Sequence, residues 1–432
     1  MAINPKRIVF ITTRIFWPAD SGRKVSLWHY CQGLHDRLGY DIYVYAFLEG
    51  DQTAAEADVH PDFIRGVRVA EPIAKVTKAE NLRRAIGDKG MPLQCALYLS
   101  KGNARAIRAY CEDARPDAVI IDMVRLAPYA SAIEDLGCAV VQDFDDLLSK
   151  RYRRQLGEGG SALGKYGEQA SGLVNKLMGL GFIKNAVLKR EAARVERAED
   201  AWGARADAVL FVSPLEAAEM DKRLGEKKCF NATVGAEIPT APSKPVPIQY
   251  DFGFVGNMYT AANQASLEYV VNDVLPLMPG RTLRIIGVCP DEVSSKYSSN
   301  EQVSFSGRVE SIGEDLLRCK IMLAPFAYGT GIKTKVLEAM GLGVPVVTNA
   351  IGLEGLSARP GVEVVDGETP QELKDACEEL LANDGKRATM AAAGREYVRE
   401  NHDWGKSTDC LGECIDFAIS SHDKRCEQVG RA

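Results

Sequence analysis

Residues 324–348 read Ala-Pro-Phe-Ala-Tyr-Gly-Thr-Gly-Ile-Lys-Thr-Lys-Val-Leu-Glu-Ala-Met-Gly-Leu-Gly-Val-Pro-Val-Val-Thr. No other stretch constrains the fold as tightly. The apolar run 321–323 before it predicts a buried parallel strand, and Pro325 cannot extend a ladder, so the chain turns there. Gly329 and Gly331 let backbone approach a ligand, and a helix predicted over 333–341 presents its positive end to the same place. Lys333 and Lys335 add full charges. Glu338, about one turn on, is either a carboxylate that accepts hydrogen bonds from a vicinal diol such as ribose or a plain helix-surface acid. Gly341 and Gly343 close the helix, and 345–348 starts another strand. The unit is suited to holding a nucleotide.

The same strand and helix alternation runs along the chain and predicts parallel sheets flanked by helices, an α/β class. Strands are expected at 7–12, 41–47, 118–122, 139–143 and 208–212. A second series follows at 251–255, 282–286, 303–305, 321–323 and 345–348. Between them, Pro239, Pro242, Pro245 and Pro247 fall within nine residues, a composition that excludes helix and central strand and predicts a linker. A chain of 432 residues exceeds what one core normally serves. The expected division is a first domain over 1–238, a linker over 239–247, a second domain over 248–395, and C-terminal helices over 396–432. Those helices are expected at 371–381, 385–401 and 406–419.

Composition narrows the partners. The chain has 53 basic and 59 acidic residues, net −6, which excludes a dominant nucleic-acid footprint. Eleven cysteines stand without Cys-x-x-Cys pairs and five histidines without zinc spacing, so no metal and no cofactor is expected and the thiols read as reduced. No secretory leader and no span-length apolar stretch is visible, and the expected location is cytoplasmic.

In order, the Gly-Lys loop, Glu338-Ala-Met, Gly343-Val-Pro-Val-Val and Gly352-Leu-Glu-Gly355 resemble the donor-binding signature of the family-4 glycosyltransferases, retaining enzymes of the GT-B fold. The resemblance implies two doubly wound, Rossmann-like domains facing across a cleft that holds the active site. It implies a nucleotide-sugar donor held by Gly256, Asn257, Arg308, Gly329, Gly331, Ile332, Lys333, Lys335, Leu337 and Glu338. Gly352, Leu353 and Glu354 would line the sugar side. Two departures stand out. The family's Arg and Lys after the first glycine of the second domain are absent, since Asn257, Met258 and Tyr259 follow Gly256. That shifts compensation of the diphosphate to Lys333 and Lys335, with Arg308 as a third cation. The family's outer glutamate falls at Thr330, so Thr330 with the backbone of Gly331 and Ile332 would have to supply hydrogen bonds near the anomeric carbon.

In the first domain, Gly22 resembles the family's glycine loop after the first strand. Arg23 and Lys24 then open a helix suited to an anionic group, or are simply solvated charges at a helix N-terminus. Asp143-Phe144-Asp145 occupies the place of a family Asp-x-His motif. Asp145 is therefore a candidate to position or deprotonate an acceptor hydroxyl, with Asp143 beside it, or else a helix N-cap. Residues 151–190 are basic and amphipathic, which fits either peripheral contact with the cytoplasmic membrane face or a helix packed on the domain. Gly235 stands at the family's turn before the linker, and Trp404 where the chain would cross back. The expected function is transfer of a sugar from a nucleoside-diphosphate sugar to a glycan or lipid-linked hydroxyl with retention, in polysaccharide or glycoconjugate synthesis. The competing classes are a degenerate nucleotide-sugar-binding or scaffold protein and a nicotinamide oxidoreductase. The latter lacks its Gly-x-Gly-x-x-Gly turn after the first strand.

Overall fold

A computed structural model of the chain describes residues 5–19, 22–87, 90–157, 181–236, 246–309, 311–329 and 331–430. Thr330, most of the expected linker and the middle of the basic segment 151–190 lie outside the described residues. The chain divides into two compact units, one of residues 1–233 with 405–432, the other of residues 234–404.

The first unit holds a seven-stranded parallel sheet of β1 (Arg7–Thr12), β2 (Asp41–Ala46), β3 (Ile64–Val69), β4 (Ala118–Asp122), β5 (Ala139–Asp145), β6 (Ala208–Phe211) and β7 (Cys229–Asn231), in the order β3-β2-β1-β4-β5-β6-β7. Both faces are covered, as a parallel sheet requires. Val9, Ile11, Val119, Ile121 and Val140 join Ile107, Tyr110 and Tyr129 in one core. Phe144, Val209 and Phe211 pack with Leu188, Val195 and Met220 in another. The helix Trp404–Gly430 contributes Leu411, Cys414, Ile415 and Ala418, all fully buried. Its polar side is tied to the unit by ion pairs from Lys6 to Asp416 and from Arg37 to Asp409.

The second unit holds a six-stranded parallel sheet of β8 (Tyr250–Val255), β9 (Leu283–Ile286), β10 (Val303–Phe305), β11 (Cys319–Leu323), β12 (Val346–Thr348) and β13 (Val365–Asp366), ordered β10-β9-β8-β11-β12-β13. Side-chain alternation splits its residues between two cores. Phe252, Phe254, Leu283, Ile285, Ile321 and Leu323 meet Leu267, Val270 and Leu373. Val255, Ile286, Met322 and Val346 meet Val336, Leu337 and Met340 of the helix Thr334–Leu342. Trp404 packs against the Gly235 backbone so closely that a Cβ there would lie 2.4 Å from the indole.

The ten expected strands are present, and β3, β7 and β13 are additional. All three are sheet edges, half exposed, and so lack the continuous apolar run that marks a central strand. The last helix runs well beyond the expected 406–419; past Ala418 its buried contact is polar, with His422 and Arg425 reaching Asp207 of the first unit. Among the described residues no helix is long and apolar enough to cross a membrane.

Candidate functional site

Each strand order places a crevice. In the second unit the chain winds from β8 outward through β9 to β10, then returns to the other side of β8 with β11. The switch point therefore lies between the carboxyl ends of β8 and β11, where open α/β sheets take their ligands. Gly256 follows β8, and the loop 324–333 follows β11.

Backbone geometry explains the glycines there. Gly329 and Gly331 adopt φ of 141° and 75°, which side chains rarely take. Gly287, after β9, has φ of 127°, and a Cβ on it would stand 2.4 Å from the Gly256 carbonyl oxygen. The two loops can therefore lie side by side. On the far side of the crevice, the Asn349 amide staples two loops. Its Oδ1 accepts from Phe326 N at 3.1 Å and Gly352 N at 3.2 Å, while Nδ2 donates to Phe326 O at 2.9 Å. Thr348 Oγ1 donates to Ala324 O at 2.7 Å, and a Cβ on Gly352 would fall on that hydroxyl. Gly352 is thus required for packing, whatever else it does. Leu353 and Glu354 follow it, half-buried.

Two cations enter this crevice. Lys333, the residue before the helix Thr334–Leu342, turns its ammonium back on the loop, donating to Gly331 O at 2.7 Å. It lies 4.0 Å from Glu354 and over the Phe326 ring. Lys335 reaches across the switch point to Asn263 Oδ1 at 3.0 Å, and Asn263 Nδ2 donates to Asn257 O at 2.8 Å. Burial lowers the Lys335 ammonium below its ordinary range, partly offset by Glu338. Its hydrogen-bond acceptor is a neutral amide, so an anion arriving here would stabilise the charge. Lys335 therefore brings a cation to the β8 loop, the place where the sequence itself lacks one. Glu338 is exposed on the same helix, whereas Leu337 is fully buried in the core. That corrects the expectation for Leu337, whose side chain is no part of an open wall. Ile332 packs against Gly355, Asn257 Oδ1 accepts from Tyr259 N in a local turn, and Arg308 is exposed after β10.

The first unit has its own switch point, between β1 and β4. There Arg23, on the helix Gly22–Asp36, is buried and bonded to three carboxylates. Nε donates to Asp122 Oδ1 at 2.9 Å, Nη1 to Asp145 Oδ1 at 3.1 Å, and Nη2 to Asp143 Oδ2. The ring of Tyr30 lies against the guanidinium. Arg23 is neither a solvated helix-end charge nor suited to an external anion, because it is buried and each of its three nitrogens is bonded to a carboxylate; both readings are corrected. Asp122 also accepts from Thr13 N and Oγ1. Burial pushes the Asp143 carboxyl up to about 6, with Asp122 and Asp145 adding to the rise and Arg23 opposing it. Burial likewise raises Asp145, again opposed by Arg23. Asp122 is also buried, but Arg23, Arg14 and Thr13 outweigh that and hold it below its ordinary value. Asp145 adopts φ of 65°, as does Met123 at the end of β4, a conformation rare for non-glycine residues. Its side chain keeps partial access to solvent, and Gly22 is exposed beside it in sequence to Arg23.

Asp122, Asn263 and Asn349 escaped the sequence reading. Asp122 and Asn349 each close an apolar strand with a polar residue, which was the available signal; Asn263 had none.

Residues 249–383 match the family model described as glycosyl transferases group 1. A GDP-mannose-dependent monoacylated alpha-(1-6)-phosphatidylinositol monomannoside mannosyltransferase of Corynebacterium glutamicum is 28% identical over 178 residues. That match takes in 37% of this chain and 44% of the relative, so the chain spans under half the relative's length. Among solved structures, a sucrose-phosphate synthase from Thermosynechococcus elongatus superposes with a TM-score of 0.65 at 16% identity, covering 96% of this chain and 100% of that one. Anabaena HepE in complex with UDP gives 0.64 at 15% identity, covering 95% and 99%. At such identities the likeness speaks for the fold alone. The chain has the GT-B fold, and within it residues 249–383 are similar to the group 1 glycosyl transferases.

Proposed function

We propose that this protein is a retaining glycosyltransferase of the family-4 type, moving a sugar from a nucleoside-diphosphate sugar to a hydroxyl acceptor. The observation that carries the proposal is the pair Lys333 and Lys335, set at a switch-point crevice beside the N-terminus of the helix Thr334–Leu342. In this reading the two ammonium groups and the loop from Gly329 take the diphosphate, Gly256 and Gly287 let it approach, and Arg308 serves its outer side. Glu338 clasps the ribose. Gly352, Leu353 and Glu354 face the sugar, with Thr330 and the backbone of Gly331 and Ile332 near the anomeric carbon. As the bond to the leaving oxygen breaks, charge grows on the diphosphate, and fixed ammonium groups stabilise it there. Asp145 positions the acceptor hydroxyl, its raised proton affinity suiting it to take the proton.

The acceptor is proposed to be a lipid-linked or glycan hydroxyl. The Corynebacterium relative's name describes a lipid acceptor, and the basic segment 151–190 suits an anionic membrane face on the cytoplasmic side. Neither a metal nor a further cofactor is given a role in this scheme.

The test is calorimetry of the full chain with UDP, GDP, ADP and TDP. At least one is expected to bind, and Lys335→Met to weaken it by about tenfold or more, the value of a charged hydrogen bond. Glu338→Ala should weaken binding and turnover together. No heat from any of the four ends the proposal. A nucleotide that binds while no donor sugar is transferred or hydrolysed favours the second reading, a non-catalytic nucleotide-sugar binder, which the replacement of the outer glutamate by Thr330 motivates.

A further inference from the structure

The C-terminal helix carries a polar cluster that sugar transfer does not use. His422, Arg425 and Cys426 stand at i, i+3 and i+4 of the helix Trp404–Gly430 and so share one face. They gather on Asp207, the buried residue just before β6. Asp207 Oδ2 accepts from Val140 N at 2.9 Å, and Oδ1 from Arg425 Nη2 at 2.9 Å. His422 is buried too, with Nδ1 at 3.5 Å from Asp207 Oδ2 and 3.2 Å from Arg425 Nη2. That leaves its other nitrogen, Nε2, at 3.4 Å from Cys426 Sγ. Of the eleven cysteines, seven are buried and three half-buried, while Cys426 is exposed.

We propose that Cys426 is a nucleophilic thiol that exchanges with low-molecular-weight disulfides, with His422 as its base and Asp207 as the anchor that aims the ring. A thiolate is the attacking species, and a cysteine becomes reactive where an imidazole and a guanidinium stand beside an accessible sulfur. An imidazole and an accessible sulfur meet here, with a guanidinium on the neighbouring residue. With the ring proton on Nδ1, directed at Asp207 rather than Nδ1 accepting from Arg425, Nε2 is free to take a proton, the logic of a nucleophile, base and orienting acid. In the forward step Nε2 takes the thiol proton and Sγ attacks one sulfur of the incoming disulfide. The new S–S bond forms as the old one breaks, and the departing thiolate takes the proton from Nε2–H. No oxidant beyond the disulfide is needed. Arg425 also lines a cavity of about 320 Å³ with Glu134, Gln142, Trp202 and Arg205. Arg205 there is paired with Glu134 and Arg425 with Asp207, so the carboxylates of an incoming glutathione-like disulfide would meet guanidiniums already held by acids, on the residue next to Cys426.

The test treats the native full-length protein with oxidised glutathione at neutral pH, quenches with acid, and maps the modified cysteines by mass spectrometry. Glutathione is expected on Cys426 first, at least about tenfold faster than on the same peptide of the guanidinium-unfolded chain. His422→Asn should cut the native rate by about tenfold, a positioned base being the source of the difference. Because His422 is buried, Arg425→Gln, at a half-exposed site, serves as a second variant, with circular dichroism verifying its fold. It should slow exchange several-fold. Equal rates in native and unfolded chains, no slowing in a folded variant, or first modification at another cysteine each overturn the proposal. The sugar-transfer reading is untouched by any of these outcomes.

Discussion

At the scale of single residues, the first unit turns on Arg23. One guanidinium satisfies three acids that enter from β4 and β5, at positions 99, 120 and 122 residues away in sequence. Removing it leaves buried carboxylates without their cation, so Arg23→Ala should cost about 3–5 kcal/mol in urea unfolding. Arg23→Lys should recover little, since a single ammonium cannot present three diverging donors. Asp143 adds a pH dependence of definite sign. Its folded value of about 6 exceeds the roughly 3.9 of an unfolded aspartate. Between those values the folded chain holds more protons than the unfolded one, so this group's contribution is fully present below about pH 4 and is lost as pH rises through about 6. A shift of that size corresponds to roughly 3 kcal/mol. Asp143→Asn should flatten that fall, and urea midpoints at pH 4.5 and 6.5 for both proteins measure it; parallel slopes would remove the assignment. The long sequence separations are also why this cluster was illegible beforehand: Arg23 beside Lys24 reads as a surface charge until its partners arrive from other strands.

At the scale of elements, the segment that opened the sequence reading behaves as its composition dictates. The helix expected at 333–341 occupies Thr334–Leu342, and Gly343 closes it in a left-handed conformation, φ 77°. A Cβ there would lie 2.6 Å from Arg395 Nη2, which itself donates to Leu342 O at 2.5 Å. Gly343→Ala should therefore cost about 1–2 kcal/mol for the backbone conformation alone. Calorimetry should show the second unit melting about 2–8 °C lower. Central strands were legible because burial on both faces writes an unbroken apolar run, as in Ala-Val-Ile-Ile-Asp of β4. Three of the four edges were not, since half-exposed strands such as Ile64–Val69 mix arginine and glycine into the run; the edge strand Val303–Phe305 was expected. The crevice glycines were legible for the same kind of reason, a backbone demand that only one residue type meets. Asn263 and Asn349 were not, because an amide that staples loops follows no periodicity.

At the scale of the whole molecule, the division of the chain is interrupted: the first unit is built from residues 1–233 and 405–432, with the second inserted between. The returning helix brings Leu411 and Ile415 into the first core, each worth about 1.5–3 kcal/mol when fully buried. The ion pairs of Lys6 and Arg37 are largely exposed and add little, so burial supplies most of the hold, comparable with the lower end of a domain's net stability. A chain ending at Trp404 should lose the cooperative melting of the first unit while retaining that of the second, which calorimetry resolves as one vanished transition.

The same interruption sets an order of events during synthesis. Because the last helix of the first unit leaves the ribosome only after every residue of the inserted one, the earlier unit must wait with a long apolar furrow uncovered. The later unit can finish first. A nascent chain of this kind depends on whatever shields that furrow during elongation, and a slow ribosome lengthens the time it stands open.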